Sequence, residues 1–284
     1  TGSGFYWPRR SSDSSTLLLA SCKLYLSPRC LCYGIAKTIK QKWRGLIAKD
    51  VEMLCSRNGI VVVSAFFGSA TIILGIVMLF IFPLSADLSP GFRTPIIAFE
   101  FARTEADLAF LAGSSEISVL NRAKMDAGLD WDMLFPFAYA GFIAFLALQQ
   151  VYSGRPIAWV GVMSAVLIIP FDLQENFVLL AISSALAESA SIQALLLELH
   201  VATWLKWSAI GVSVTVLAFG FMARREYFPA GISLLAAMGL VVCWLTDSDA
   251  VAAEAMSVLL FLFFISLSLR SCGQSLALIR RRVE

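Results

Sequence analysis

The sequence predicts an all-α, polytopic transmembrane helix bundle of about six spans, preceded by a basic amphipathic surface helix. Three observations carry that expectation. Separate apolar stretches are each long enough to cross a hydrocarbon core of about 30 Å. The chain is 58% hydrophobic and 15% charged, whereas a soluble domain has about 25% charged residues. Its 22 Lys and Arg residues are unevenly shared: seventeen fall on one side of the span pattern, four on the other, and Lys206 lies within a span. The positive-inside rule makes the basic side cytoplasmic, or its matrix or stromal counterpart, and places both termini there. A bacterial inner membrane and an organelle membrane fit equally, because the rule reads the same in both.

The chain divides into residues 1–58, a basic tail and surface helix, and residues 59–284, the membrane domain. Residues 1–32 are Ser-rich and basic, with Asp13 as the single acid. Leu19-Ala20-Ser21-Cys22 has the form of a lipobox, but its apolar lead-in of about six residues is shorter than the about 7–15 of a signal core. The same composition is also that of an organelle transit remnant. Beyond it, Ile35, Ile39, Trp43, Leu46 and Met53 share one helical face, and Lys37, Lys40, Lys42, Arg44 and Lys49 occupy much of the rest. That pattern predicts a helix on a membrane surface with anionic lipid headgroups as its partner. The plainer alternative is a solvated basic tail.

Span one is expected at 60–83, with Ser64, Gly68, Thr71 and Gly75 as a small-residue stripe for close helix packing. Residues 84–131 form the longest loop. There Thr94-Pro95 starts a helix expected to run through Phe99, Phe101, Leu108 and Leu111, and another is expected from Glu116 to Asp132. Span two is expected at 132–150, opened by Asp132. The turn Ser153-Gly154-Arg155-Pro156 leads to span three at 157–182, where about 26 residues give roughly 39 Å of helix and imply tilt or a kink at Pro170. Residues 183–200 are expected as a loop. Spans four, five and six are expected at 201–222, 228–245 and 250–269.

Inside these spans lie charges that are costly to bury. Asp172, Glu175 and Asn176 share a helical face at i, i+3 and i+4. An unpaired Asp at a span centre costs about 2.5–3.5 kcal/mol even on insertion scales, so these groups should face the bundle interior. Topology supplies the partners. Thr203, Lys206 and Trp207 share a face of span four. Asp132 shares one with Pro136 and Tyr139, and Glu254 lies near the start of span six. Their depths are expected to be similar, with Glu175 roughly 10 Å and Lys206 about 7–8 Å below the outer ends of their spans. The candidate cluster is therefore Asp132, Asp172, Glu175, Asn176, Thr203, Lys206 and Glu254, all in the outer half of the membrane. Four acids against one base is a composition suited to handling protons or cations, and equally to an interhelical lock rimmed by wet carboxylates.

Other chemistries find no support in the sequence. No P-loop, H-E-x-x-H or G-x-S-x-G occurs. A single His, His200, excludes a two-His haem or a His-rich metal site in one chain, so no metal, cofactor or nucleic-acid role is expected. The six Cys include no C-x-x-C, and five lie on the basic side, which argues against structural disulfides. Trp131, Trp204 and Trp207 fit an aromatic belt.

Four motifs carry a resemblance over residues 96–210. They are Phe99-Glu100-Phe101-Ala102 with Thr104-Glu105-Ala106; Leu129-Asp130-Trp131-Asp132-Met133-Leu134-Phe135-Pro136 with Tyr139; Asp172-Leu173-Gln174-Glu175-Asn176; and Thr203-Trp204-Leu205-Lys206-Trp207. In these the chain resembles a group of uncharacterised bacterial multi-span membrane proteins with D-x-x-E-N and T-x-x-K-W spans. The resemblance implies that Asp132, Asp172, Glu175, Asn176, Thr203 and Lys206 form one unit, and it implies no substrate. Three functions stay open: a structural or accessory subunit with membrane-protein partners or copies of itself, a small proton- or ion-coupled transporter, and a membrane-embedded lipid-processing enzyme.

Overall fold

The computed structural model describes residues 56–84 and 86–283, and the compact unit it defines begins at Arg57. The expected surface helix at 33–57 lies outside the described residues, apart from Ser56 and Arg57. In order, the helices are α1 (Arg57–Ile81), α2 (Pro95–Glu100), a 3-10 turn (Glu105–Leu108), α3 (Glu116–Asp132), α4 (Phe135–Tyr152), α5 (Ala158–Ala187), α6 (Gln193–Met222), α7 (Tyr227–Leu245) and α8 (Ala250–Val283). No strand occurs among the described residues. Six helical runs are long and apolar enough to cross a membrane, one of them comprising α3 and α4 together. Helices suit that setting because they satisfy every backbone group internally.

From α4 onward short connections set the topology, since they leave consecutive helices only antiparallel neighbours to pack on. α1 packs on α4, α4 on α5, α5 on α6, α6 on α7 and α7 on α8, and α8 returns to α1. The six spans thus form a closed ring, with α4 also touching α6 across it. At the α5, α6 and α7 ends the turns use left-handed residues, Ser189, Arg225 and Asp247, and at α4 Gly154 at φ 83°. Each lets a later N–H reach back to a terminal carbonyl, as in Arg155 N to Gln150 O at 3.3 Å and Ser248 N to Cys243 O at 2.8 Å. Gly154 adopts this conformation without the steric cost a side chain adds.

Three residues of the small-residue stripe on α1, Ser64, Gly68 and Thr71, are buried inside the ring, and Gly68 sits against Ser268 of α8 and Phe142 of α4, whereas Gly75 is half-buried and makes no such close approach. Gln149 donates to Ser64 Oγ at 2.8 Å, tying α4 to α1. Gln150 donates to the Leu217 carbonyl at 3.2 Å and occupies the space that Gly220 leaves open on α6.

Several elements depart from the sequence expectation. The helix begun at Pro95 stops at Glu100, and Leu108 belongs to the separate 3-10 turn, not to a continuation. Asp132 closes α3 instead of opening span two, which starts at Phe135. Pro136 is the cause: it has no N–H for the Asp132 carbonyl four residues earlier, and its ring crowds that carbonyl. Residues 183–200 are mostly helix, leaving only 188–192 between α5 and α6. α8 continues past Leu269 to Val283. α5 remains α-helical through Pro170.

Two apolar cores result. One lies among the spans and includes Phe142, Ile168, Ile210, Leu217 and Phe263. The other lies in a cap built from α2, the 3-10 turn, α3 and the projecting ends of α5 and α6; it includes Phe99, Leu108, Leu111, Met125, Leu179 and Leu199. The cap's loop is tied to α3 by Asn121, which donates to Phe110 O at 3.1 Å, and by Arg122, which donates to Leu111 O and to Gly113 O.

Candidate functional site

The polar cluster occupies the seam between these cores. Along α5, Ile168 belongs to the span core, Asp172, Glu175 and Asn176 follow, and Val178 begins the cap core. α6 runs the other way: Leu199 is in the cap core, Thr203 and Lys206 follow, and Ala209 enters the span core. The i, i+3, i+4 spacing on both helices turns each triplet toward the other.

Lys206 is the hub. Its ammonium donates directly to Glu175. Nζ also lies 3.2 Å from Glu100 and 4.0 Å from Asp172. Tyr139 of α4 donates its hydroxyl proton to the other Asp172 oxygen. Thr203 donates to the Glu100 carbonyl at 3.2 Å, satisfying one of the orphan carbonyls at the end of α2. Asp132, at the α3 corner that Pro136 creates, feels Asp172, Lys206 and Glu175 and faces Asn176. The set is closed to water: Glu175 and Asn176 are 0% exposed, Asp172 3%, Lys206 4%, Glu100 7% and Asp132 8%.

Trp207 walls one side. Its ring centroid is 4.7 Å from the Lys206 ammonium, and it stacks on Phe101 at 6.3 Å. Such a cation–aromatic contact strengthens when desolvated. Beyond Trp207, a groove of about 430 Å³ between α6 and α7 is lined by Trp204, Trp207 and Trp244, without Lys206.

Burial pushes the Glu100 carboxyl up to about 7, with Lys206 opposing the rise and Asp132 and Asp172 adding to it. Several oxygens and both Asn176 amide atoms lack a hydrogen bond of normal geometry among the described residues, including Asp172 Oδ1 and Glu175 Oε1. The cluster therefore holds unused acceptor capacity around one cation.

Six of the sequence-derived candidates converge: Asp132, Asp172, Glu175, Asn176, Thr203 and Lys206. Glu254 does not. Its carboxylate accepts from Arg93 N and Thr94 N, both at 2.8 Å, and from Thr94 Oγ1 at 2.8 Å. It is the N-terminal cap of α2, contributed by α8, because the α2 start has orphan N–H groups and Thr94 makes no side-chain cap of its own. α5 and α6 run on into the cap, so Glu175 lies roughly 18 Å and Lys206 roughly 20 Å from their helix ends. The candidate cluster left out two residues of the site, Tyr139, which the sequence places on one face with Asp132, and Glu100. The signal for Glu100 is a lone acid within the apolar run from Pro95 to Ala102.

A surface pair fastens the cap elsewhere: Arg103 makes two 2.7 Å contacts to Asp247 in the α7–α8 turn. Hydrogen bonding from the Arg103 guanidinium holds the Asp247 carboxyl below the usual carboxylate range. No group of three or more metal-ligating side chains of the kind that holds an ion occurs among the described residues. No protein-family model, curated protein or solved structure matches the chain.

Proposed function

We propose that this multi-pass membrane protein is a structural or accessory component of a membrane assembly, and that the buried cluster locks its cap onto its spans. The observation supporting this is the closed ion pair between Lys206 and Glu175, with Glu100 of the cap 3.2 Å from the same ammonium. Buried pairs of this kind add little net stability, and the role proposed for this one is to fix a single arrangement of cap and spans. The orientation that accompanies this reading puts both termini on the cytoplasmic, matrix or stromal side, from the bias in Lys and Arg. The basic segment at 33–57 then meets anionic headgroups on that side. Native mass spectrometry after mild extraction tests the role: a retained membrane-protein partner or a homo-oligomer is expected. A stable lone monomer with an intact fold overturns it.

A second reading, proton- or ion-coupled transport, rests on the charge count. Glu100, Asp132, Asp172 and Glu175 face one ammonium. Three uncompensated buried charges would cost several kcal/mol each, so the cluster titrates as a unit that holds protons or a cation. Flux into proteoliposomes decides this. Transport lost in Asp172→Asn and Glu175→Gln supports it; unchanged flux in both removes it.

A further inference from the structure

At the opposite end of the bundle from the cap lies a second polar concavity. Its volume is about 310 Å³, and its lining includes Arg57, Asn58, Gln149, Arg224, Gln274 and Arg281. These come from three helices and a turn: the start of α1, the end of α4, the turn that follows α6 and the last turns of α8. Three guanidinium groups and three amides line it, and among the described residues no carboxylate does.

The surrounding bonds leave the lining rich in donors. Glu226 is the acid at its edge; it pairs with Arg224 at 2.5 Å and also with Arg270. Arg57 and Arg281 have no ion-pair partner among the described residues. Arg270 donates to the Gln274 side-chain oxygen at 3.5 Å, and the Gln274 amide N–H groups donate to no acceptor among the described residues. The first N–H groups of α1 add a partial positive charge to the same end.

We infer that this pocket binds a phosphate group, presented by an anionic phospholipid headgroup. Planar guanidinium groups match phosphate oxygens in pairs. The position fits a lipid as the source: the pocket lies between span ends, where basic interhelical sites take up anionic headgroups. Its size is at the lower edge of the about 300–1,000 Å³ of small-ligand clefts. This site is independent of the buried cluster and of the role proposed for it.

The test uses the full chain, purified in detergent and supplied with phosphatidylglycerol or phosphatidylcholine, and reads bound lipid by native mass spectrometry. One phosphatidylglycerol should be retained in preference to phosphatidylcholine, and R57Q/R281Q should weaken that retention roughly 10–30-fold. R93Q, at the far end, should leave it unchanged. A parallel arm adds inorganic phosphate alone. A saturable rise in melting temperature that R57Q/R281Q abolishes, without lipid preference, assigns the same pocket to free phosphate. Should the double variant fold poorly, the single R281Q, at an exposed position, carries the reading. Equal phosphatidylglycerol retention in wild type and variant, with no phosphate effect, overturns the site.

Discussion

The Lys206 ammonium and the Glu100 carboxylate meet at 3.2 Å in the seam between the span core and the cap core. One group belongs to a span and the other to a segment of the long connection. Their contact makes the connection part of the buried structure, so stability and any proton chemistry both pass through it.

Breaking the hub should be costly, and removing the Lys206–Glu175 pair together less so. Lys206→Met leaves four carboxyl groups without a cation and should destabilise by about 3–5 kcal/mol. Combining it with Glu175→Leu should recover part of that loss. A double-mutant cycle on unfolding in detergent measures the coupling; strictly additive losses would contradict the lock.

Glu100 gives the cap a pH dependence. Its carboxyl rises from 4.5 in the unfolded chain to about 7 in the folded one. Below the lower value both states are protonated and its contribution is complete. As pH rises toward the higher value, the folded state binds more protons than the unfolded one, so stability falls and then levels. Melting temperature followed from pH 4 to 8 should show this slope, and Glu100→Gln should flatten it. An unchanged slope in the variant removes the assignment.

Glu254 is expected to act on α2, not on the cluster. Glu254→Ala removes the acceptor for Arg93 N, Thr94 N and Thr94 Oγ1 and should cost about 0.5–2 kcal/mol, as the loss of a helix cap does. Hydrogen exchange should accelerate at residues 93–98, with α5 and α6 near Lys206 less affected. Unaltered exchange at 93–98 would refute the capping role.

Close packing at Gly220 is equally specific. A methyl group there would collide with the Gln150 side chain. Gly220→Ala should therefore destabilise by about 1–3 kcal/mol, and Gln150→Ala in the same chain should relieve part of it by emptying that space. Thermal unfolding of the two single variants and the double variant reads this directly.

Much of the architecture was legible along the chain because a membrane imposes a one-dimensional constraint: an apolar run of sufficient length must be a helix. The faces of α5 and α6 followed from helical period, and so did the convergence of Asp172, Glu175 and Asn176 with Thr203 and Lys206. The helix ends were harder. Ser183–Ala187 and Gln193–His200 mix polar and apolar residues and read as loop, yet Leu186, Ile192, Leu196 and Leu199 bury themselves in the cap core. Their partners come from residues 99–129, a separation no local pattern reports.

By itself, then, the sequence determined the all-α class, the number of spans and which residues share a helical face, because hydropathy and the 3.6-residue period are local properties. Only the tertiary structure decided that Glu100 joins Lys206 while Glu254 caps α2. Both are single acids near apolar segments, and the difference lies in what the folded chain brings beside them: a buried ammonium for Glu100, and the orphan N–H groups of a helix start for Glu254.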